Sequence, residues 1–165
     1  MKIQYKFGDL FASDEKVLVH GTNKMGIMGS GCAKLMKEKH PEAFRAYFDA
    51  YEVYGLRLGQ VVWAESKGLL IGNAITQERF GRDKRTVYVS YDAIRTAMRE
   101  VNEKVAGVHS TVGLPQVGAG LAHGDWNIIA PIIEAEAKDF APVVYVIDAF
   151  IHNSLKSTQA KQNQI

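Results

Sequence analysis

Six short runs rich in apolar and β-branched residues alternate with segments whose apolar residues recur at helical spacing. That alternation leaves few folds open. Val17-Leu18-Val19 is a strand run closed by Gly21. Residues 61–64 and 69–75 are two more, separated by a turn at Lys67-Gly68. Ser110 to Leu114 and Val143 to Ile147 complete the buried set, and Lys2 to Lys6 adds an edge candidate. Between them, Ile94, Ala97, Met98, Val101 and Val105 mark a helix from Tyr91 to Val105, with Ser90 as its N-cap. Trp126, Ile129, Ala130, Ile133 and Ala137 mark another behind Asp125, with Pro131 expected to bend it. Cys32 to Lys39 forms a short helix stopped at His40-Pro41, and Pro41 opens the next, carrying Phe44, Phe48 and Tyr51. The order predicts an α/β fold whose sheet is covered on both faces.

Composition narrows the function. Of twenty basic residues, Lys156 and Lys161 lie in the polar stretch from Ser154 to Ile165, leaving eighteen against eighteen acids in the body. A neutral body argues against general nucleic-acid or anionic-membrane binding, which draws on an excess of one sign. The 165 residues suit one domain over residues 1–152, followed by a frayed polar tail over 153–165. A single cysteine, Cys32, excludes an internal disulfide and any Cys-rich metal site. No apolar run reaches the roughly 20 residues of a bilayer span, so a cytoplasmic monomer without a cofactor is expected.

Two glycine-rich loops occupy the strand-to-helix junctions where ligands bind in such sheets. The first runs from His20 to Cys32 and the second from Leu114 to Asp125. Glycine permits close backbone approach, and successive N–H groups can form an anion cradle ahead of a helix. GIMGSGCA has the length of a P-loop, but Cys32-Ala33 stands in place of the Lys-Ser/Thr pair. Lys34 also replaces the third glycine of a dinucleotide fingerprint. Either loop alone has the plainer reading of a simple connection.

Taken together, the residues resemble a macro domain, the ADP-ribose-binding fold. Gly8-Asp9-Leu10 is similar to the family's Gly-Asp-Ile/Leu, and Val19-His20-Gly21-Thr22-Asn23 stands where typical members have Val-Asn-Ala-Ala-Asn. Gly29-Ser30-Gly31-Cys32-Ala33 corresponds to the Gly-Gly-Gly-Val-Ala loop, and Pro115 to Leu121 to the second diphosphate loop, Pro-x-Ile-Gly-x-Gly. The resemblance runs from about Lys2 to about Ile147. It implies a three-layer α/β/α fold with a mixed, mostly parallel central sheet. Within the family the chain is similar to the branch holding ADP-ribose-1″-phosphate phosphatases, terminal ADP-ribose glycohydrolases and DNA ADP-ribosyl glycohydrolases. Asn73 to Gln77 and Gly124 to Trp126 resemble blocks of its phage-encoded members.

The resemblance implies a ligand surface of Gly8, Asp9 and Leu10 around adenine, and Gly21, Thr22 and Asn23 at the distal ribose. Met28, Gly29, Ser30, Gly31, Cys32 and Ala33 form one side of the pyrophosphate site. Gln116, Val117, Gly118, Ala119, Gly120, Leu121 and Ala122 form the other. The glycohydrolases of the branch use a lysine where this chain has Gln77, and a partner aspartate where it has Ala122. The other macro hydrolase class keeps an aspartate near Ala33 or Lys34.

These departures favour a phosphatase converting ADP-ribose-1″-phosphate to ADP-ribose and phosphate. A non-catalytic reader is the alternative, ahead of a de-ADP-ribosylating hydrolase. Phosphate monoester hydrolysis requires a barrier reduction on the order of 20 kcal/mol, and with no metal-ligand spacing in the sequence a slow enzyme is expected. His20, read as terminating its strand, is the acid–base candidate; the alternative is a histidine bonded within the loop. Asp125 is a candidate for activating water, or else a helix cap. His123 is read as a solvated loop residue and Cys32 as a small packing residue. Phe150 is either a face for adenine or core. Arg79, Arg82, Lys84 and Arg85 are a solvated cluster or an attractor for pyrophosphate, partly offset by Glu78 and Asp83.

Overall fold

The computed structural model describes residues 1–164 and contains a six-stranded sheet flanked by helices on both faces. In chain order the elements are β1 (Gln4–Phe7), β2 (Val17–Asn23), α1 (Gly31–Lys39), α2 (Pro41–Tyr54), β3 (Val61–Ser66) and β4 (Leu69–Gln77). They continue with α3 (Tyr91–Val105), β5 (Thr111–Leu114), α4 (Trp126–Glu136), β6 (Ala141–Val146) and α5 (Ala149–Gln162). The sheet order is β1-β6-β5-β2-β4-β3. All neighbours are parallel except β3, which returns antiparallel along β4 with Val61 opposite Ala74 and Ser66 opposite Leu69. Lys67 and Gly68 both take positive φ in the connecting hairpin, the pairing a two-residue turn demands.

Strand alternation assigns the faces. Val17 and Val19 point into the larger core with Ile94, Met98 and Val101 of α3 and Ile129 and Ile133 of α4. Leu18 points the other way, with Ile71, Met36 of α1 and Ala43 of α2. By the same period His20 and Thr22 face α1 and α2. Six buried residues along α3 supply much of the larger core, and each large aliphatic among them contributes about 1.5–3 kcal/mol. Glu136 of α4, nearly buried, is bracketed by Arg99 at 3.0 Å and Arg95 at 3.6 Å, tying α4 to α3. The Arg99 hydrogen bond holds its carboxyl below the usual range.

Two sequence expectations change. β2 does not close at Gly21 but continues to Asn23, pairing along β4 as far as Gln77. Gly21 lies within the strand, where an added Cβ would come 2.8 Å from Thr76 Oγ1. His20 is therefore mid-strand. The polar stretch from Ser154, expected to fray, is helical in α5. Asp148 caps that helix through Ile151 N–H, and His152 and Gln159 bond the carbonyl oxygens of Tyr5 and Ile3 along the edge of the sheet. Polar composition hid this role, because the helix covers an edge more than it buries a face. α4 continues through Pro131, which lies on its exposed side.

Candidate ligand cleft

Because five strands run parallel, their carboxyl ends share one rim, and both glycine loops leave from it. Asp9 follows β1, Asn23 ends β2, Gln77 ends β4, and the second loop follows β5. The loops meet. A Cβ on Gly31 would lie 3.2 Å from Leu121 Cδ1, and one on Gly21 would lie 3.1 Å from Val117 Cγ1.

The rim's polar chemistry is mostly backbone. Among the described residues, the N–H groups of Met28, Gly29, Ser30, Gly118, Gly120, Leu121 and Ala122 donate to no protein acceptor. Gly31, Cys32 and Ala33 form the first turn of α1, whose N–H groups have no intrahelical partner. Ser30 is the N-cap residue of α1 yet makes no side-chain cap bond, so this helix end remains open. The corresponding ends of α3, α4 and α5 are closed by Ser90, Asp125 and Asp148. Unpaired donors of both loops and the positive end of a helix thus lie on adjoining segments of the same rim, the kind of grouping that suits an anion.

Gln116 and Ala119 shape the second loop, Gln116 O accepting from Ala119 N–H at 3.1 Å. Gly118 holds φ +76°, and its carbonyl accepts from Gly124 N–H at 2.8 Å. The loop is tied to the chain after β4. Ala122 O accepts from Tyr88 and Val89 N–H, and His123 Nδ1 lies 2.8 Å from Thr86 O. His123 is thus bonded in place where solvation was expected, with its ring 5.8 Å from that of Tyr88. Arg79 stacks over the other partner of this contact, 5.4 Å from the Tyr88 ring centre. Arg82, Lys84 and Arg85 are exposed, and Arg85 pairs with Asp83.

The side chains singled out from sequence fall into distinct places. Asp9 is exposed beyond β1, and its Oδ1 accepts from Phe11 N–H at 2.9 Å, opening the short 3₁₀ turn Leu10–Ala12. Leu10 is buried beneath it, while Gly8 bonds Val146 O. The Cys32 thiol is pushed up to about 12 by burial, with the Asp9 carboxylate adding to the rise. A half-buried thiol so raised stays protonated at neutral pH, which favours the packing reading over a nucleophile. Phe150 is 83% exposed at the start of α5, so it is not core.

His20 departs furthest from its assigned role. It is fully buried, with Nε2 2.6 Å from Asn73 Oδ1. Asn73 Nδ2 donates to Ala43 O and Val62 O, so its Oδ1 must face His20 and accept the Nε2 proton. Burial drives the imidazole pKa down to about 4. It is a fully buried histidine on the face of β2 that α2 covers, with no exposed surface. Asp125 caps α4 through Asn127 N–H at 2.9 Å, and its own N–H donates to Tyr91 Oη. Its second carboxylate oxygen takes no protein hydrogen bond among the described residues.

Asn23 is 7% exposed and committed inward. Its Oδ1 accepts from Met25 N–H and its Nδ2 donates to Ile27 O. Local sequence pattern does not mark Tyr47 of α2 as a site residue; its contacts across the fold do. Among the described residues, no helix is long and apolar enough to cross a membrane.

The family model of the macro domain matches residues 19–133. A DNA ADP-ribosyl glycohydrolase of Mycobacterium tuberculosis is 30% identical over 133 residues, covering 76% of this chain but 36% of its own length. The chain thus spans about a third of that curated relative. An uncharacterized 17.5 kDa protein of Enterobacteria phage T4 is 25% identical over 87% of this chain and 96% of its own. A solved Bacteroides thetaiotaomicron protein of unknown function is 31% identical, with a TM-score of 0.79 over 88% of this chain and 98% of that one. With both glycine loops inside the matched region and its three-layer architecture, this chain belongs to the macro domain family.

Proposed function

We propose that the cleft binds ADP-ribose, and that the domain acts first as an ADP-ribose reader. The observation that carries this is the open N-terminus of α1 beside a second loop whose N–H groups are also unpaired, the two loops touching at Gly31 and Leu121. A pyrophosphate between the two loops would receive backbone donors from both sides, which suits a protein whose body has no excess of cationic side chains. Adenine lies toward Asp9, and the distal ribose toward Asn23 and the carboxyl end of β4. The ADP-ribosyl chemistry in the name of the mycobacterial relative supports the ligand class.

A second reading, the slow ADP-ribose-1″-phosphate phosphatase, keeps one specific support. The same N–H groups would stabilise charge on a phosphoryl group, and Asp125 has a free carboxylate oxygen beside the second loop. His20 lends that reading no support, being fully buried with Nε2 engaged by Asn73. Gln77 and Ala122 leave de-ADP-ribosylation without an amine nucleophile or its carboxylate partner.

Purified protein would be titrated with ADP-ribose by calorimetry, then incubated with ADP-ribose-1″-phosphate and with ADP-ribosylated protein and DNA. Binding without release of phosphate or ADP-ribose is the expected result. Phosphate release abolished in Asp125→Asn would establish the phosphatase instead. No detectable ADP-ribose binding would overturn both.

A further inference from the structure

The conformation of the first glycine loop is tied to α2, which packs against it. Tyr47, on the second turn of α2, has no exposed surface. Its hydroxyl donates to Asn23 O at 2.7 Å, with Asn23 Oδ1 at 3.0 Å, and accepts from Ile27 N–H at 3.1 Å. Asn23 closes the same loop from inside, through Met25 N–H at 2.8 Å and Ile27 O at 2.9 Å. One hydroxyl and one amide therefore fix both ends of the segment between Asn23 and Ile27.

One turn further along α2, on the same helix face, Tyr51 packs against the segment at Gly26. Gly26 holds φ +73°, and a Cβ there would lie 2.6 Å from Tyr51 Cδ1. Met28, the next residue but one, is buried with Tyr47, Leu56 and Ile75. The unpaired N–H groups of Gly29 and Ser30 follow at once. Their direction is thus inherited from a segment that Tyr47 holds.

Resting on the ADP-ribose reading, we infer that Tyr47 is a positioning residue for the phosphate and distal-ribose part of the cleft. It acts through the Asn23–Ile27 segment and touches no ligand. Removing its hydroxyl leaves Asn23 O and Ile27 N–H without their buried partner, and the loop then spreads over several conformations. Affinity falls because the donors are no longer preorganised. The adenine end, built on β1 and the 3₁₀ turn, is unaffected.

The test is Tyr47→Phe, measured in two ways. By calorimetry, ADP-ribose affinity should fall by roughly tenfold or more, the scale of one buried hydrogen bond lost, while AMP loses little. By amide exchange on ligand-free protein, Ile27 should exchange roughly tenfold faster, with the α3 amides unchanged. Gly26→Ala, which disturbs the packing against Tyr51, should give the same selective loss, and decides the matter if Tyr47→Phe does not fold. Wild-type ADP-ribose affinity in a folded variant, or equal loss of ADP-ribose and AMP, would overturn the inference. Failure of the unmodified protein to bind ADP-ribose would overturn the reading of the cleft itself, a different outcome.

Discussion

The buried histidine makes a measurable claim about stability and pH. In the folded chain His20 titrates at about 4, whereas the unfolded chain returns it to its ordinary value of 6.5. The unfolded state therefore takes up a proton first as pH falls. A group whose folded pKa is depressed contributes stability above the unfolded value and loses it progressively down to the folded one. Integrated over that window, the linkage removes about 2 kcal/mol between about pH 7.5 and about pH 5, and approaches about 3 kcal/mol at the lower limit. The physical cause is burial without an acceptor for a second proton: Nε2 is used by Asn73, and Nδ1 has no partner among the described residues.

The assay is denaturant unfolding of wild type and His20→Asn across that range. His40 and the lowered carboxylates contribute to both proteins, so the difference between the two curves isolates His20. The variant should be less stable near neutral pH, and the gap should narrow as pH falls. Parallel curves would refute the reasoning. So would an imidazole resonance of His20 titrating near its ordinary pKa, which would return the residue to solvent and to candidacy as an acid–base group.

Other outcomes follow from the same geometry. Gly118→Ala must accept φ +76° and a Cβ 2.7 Å from Val89 Cγ2; it should cost roughly 1–3 kcal/mol of stability and weaken ADP-ribose binding, read by thermal melts and calorimetry. Asp125→Ala should cost about 1 kcal/mol through loss of the α4 cap, with ADP-ribose affinity unchanged if the domain is a reader. With its pKa near 12, Cys32 should resist thiol reagents at neutral pH on the order of a thousandfold better than the unfolded chain's cysteine, as followed by mass spectrometry. Asp9→Ala should weaken ADP-ribose binding; unchanged affinity would remove Asp9 from adenine recognition.

Much of this molecule was legible from local pattern. The spacing of Ile94, Met98 and Val101 predicted α3 with its boundaries and its Ser90 cap, because a helix is specified by period and by end residues within a few turns. The glycine loops were equally visible, since their backbone freedom is written in composition. What neighbours impose was not. Nothing around Gly21 in sequence shows that β2 passes through it, because the reason is Thr76 on the adjacent strand. The polarity of residues 154–162 likewise gave no sign that His152 and Gln159 would meet the carbonyls of Tyr5 and Ile3.

The same division runs through the cleft. Sequence alone determined that two N–H-rich loops follow two buried strands, which points to an anion held by backbone donors. Tertiary structure decided where the side chains around those loops stand. The continuation of β2 from Gly21 to Asn23 leaves His20 mid-strand in the core, and strand alternation then turns it toward Asn73, with solvent shut out and its pKa depressed. Tyr47, twenty-four residues from Asn23, became part of the site's support only when α2 packed against the loop. Covalent neighbours fix local conformation, but burial and partnership across the fold determine whether a titratable group is chemistry or core.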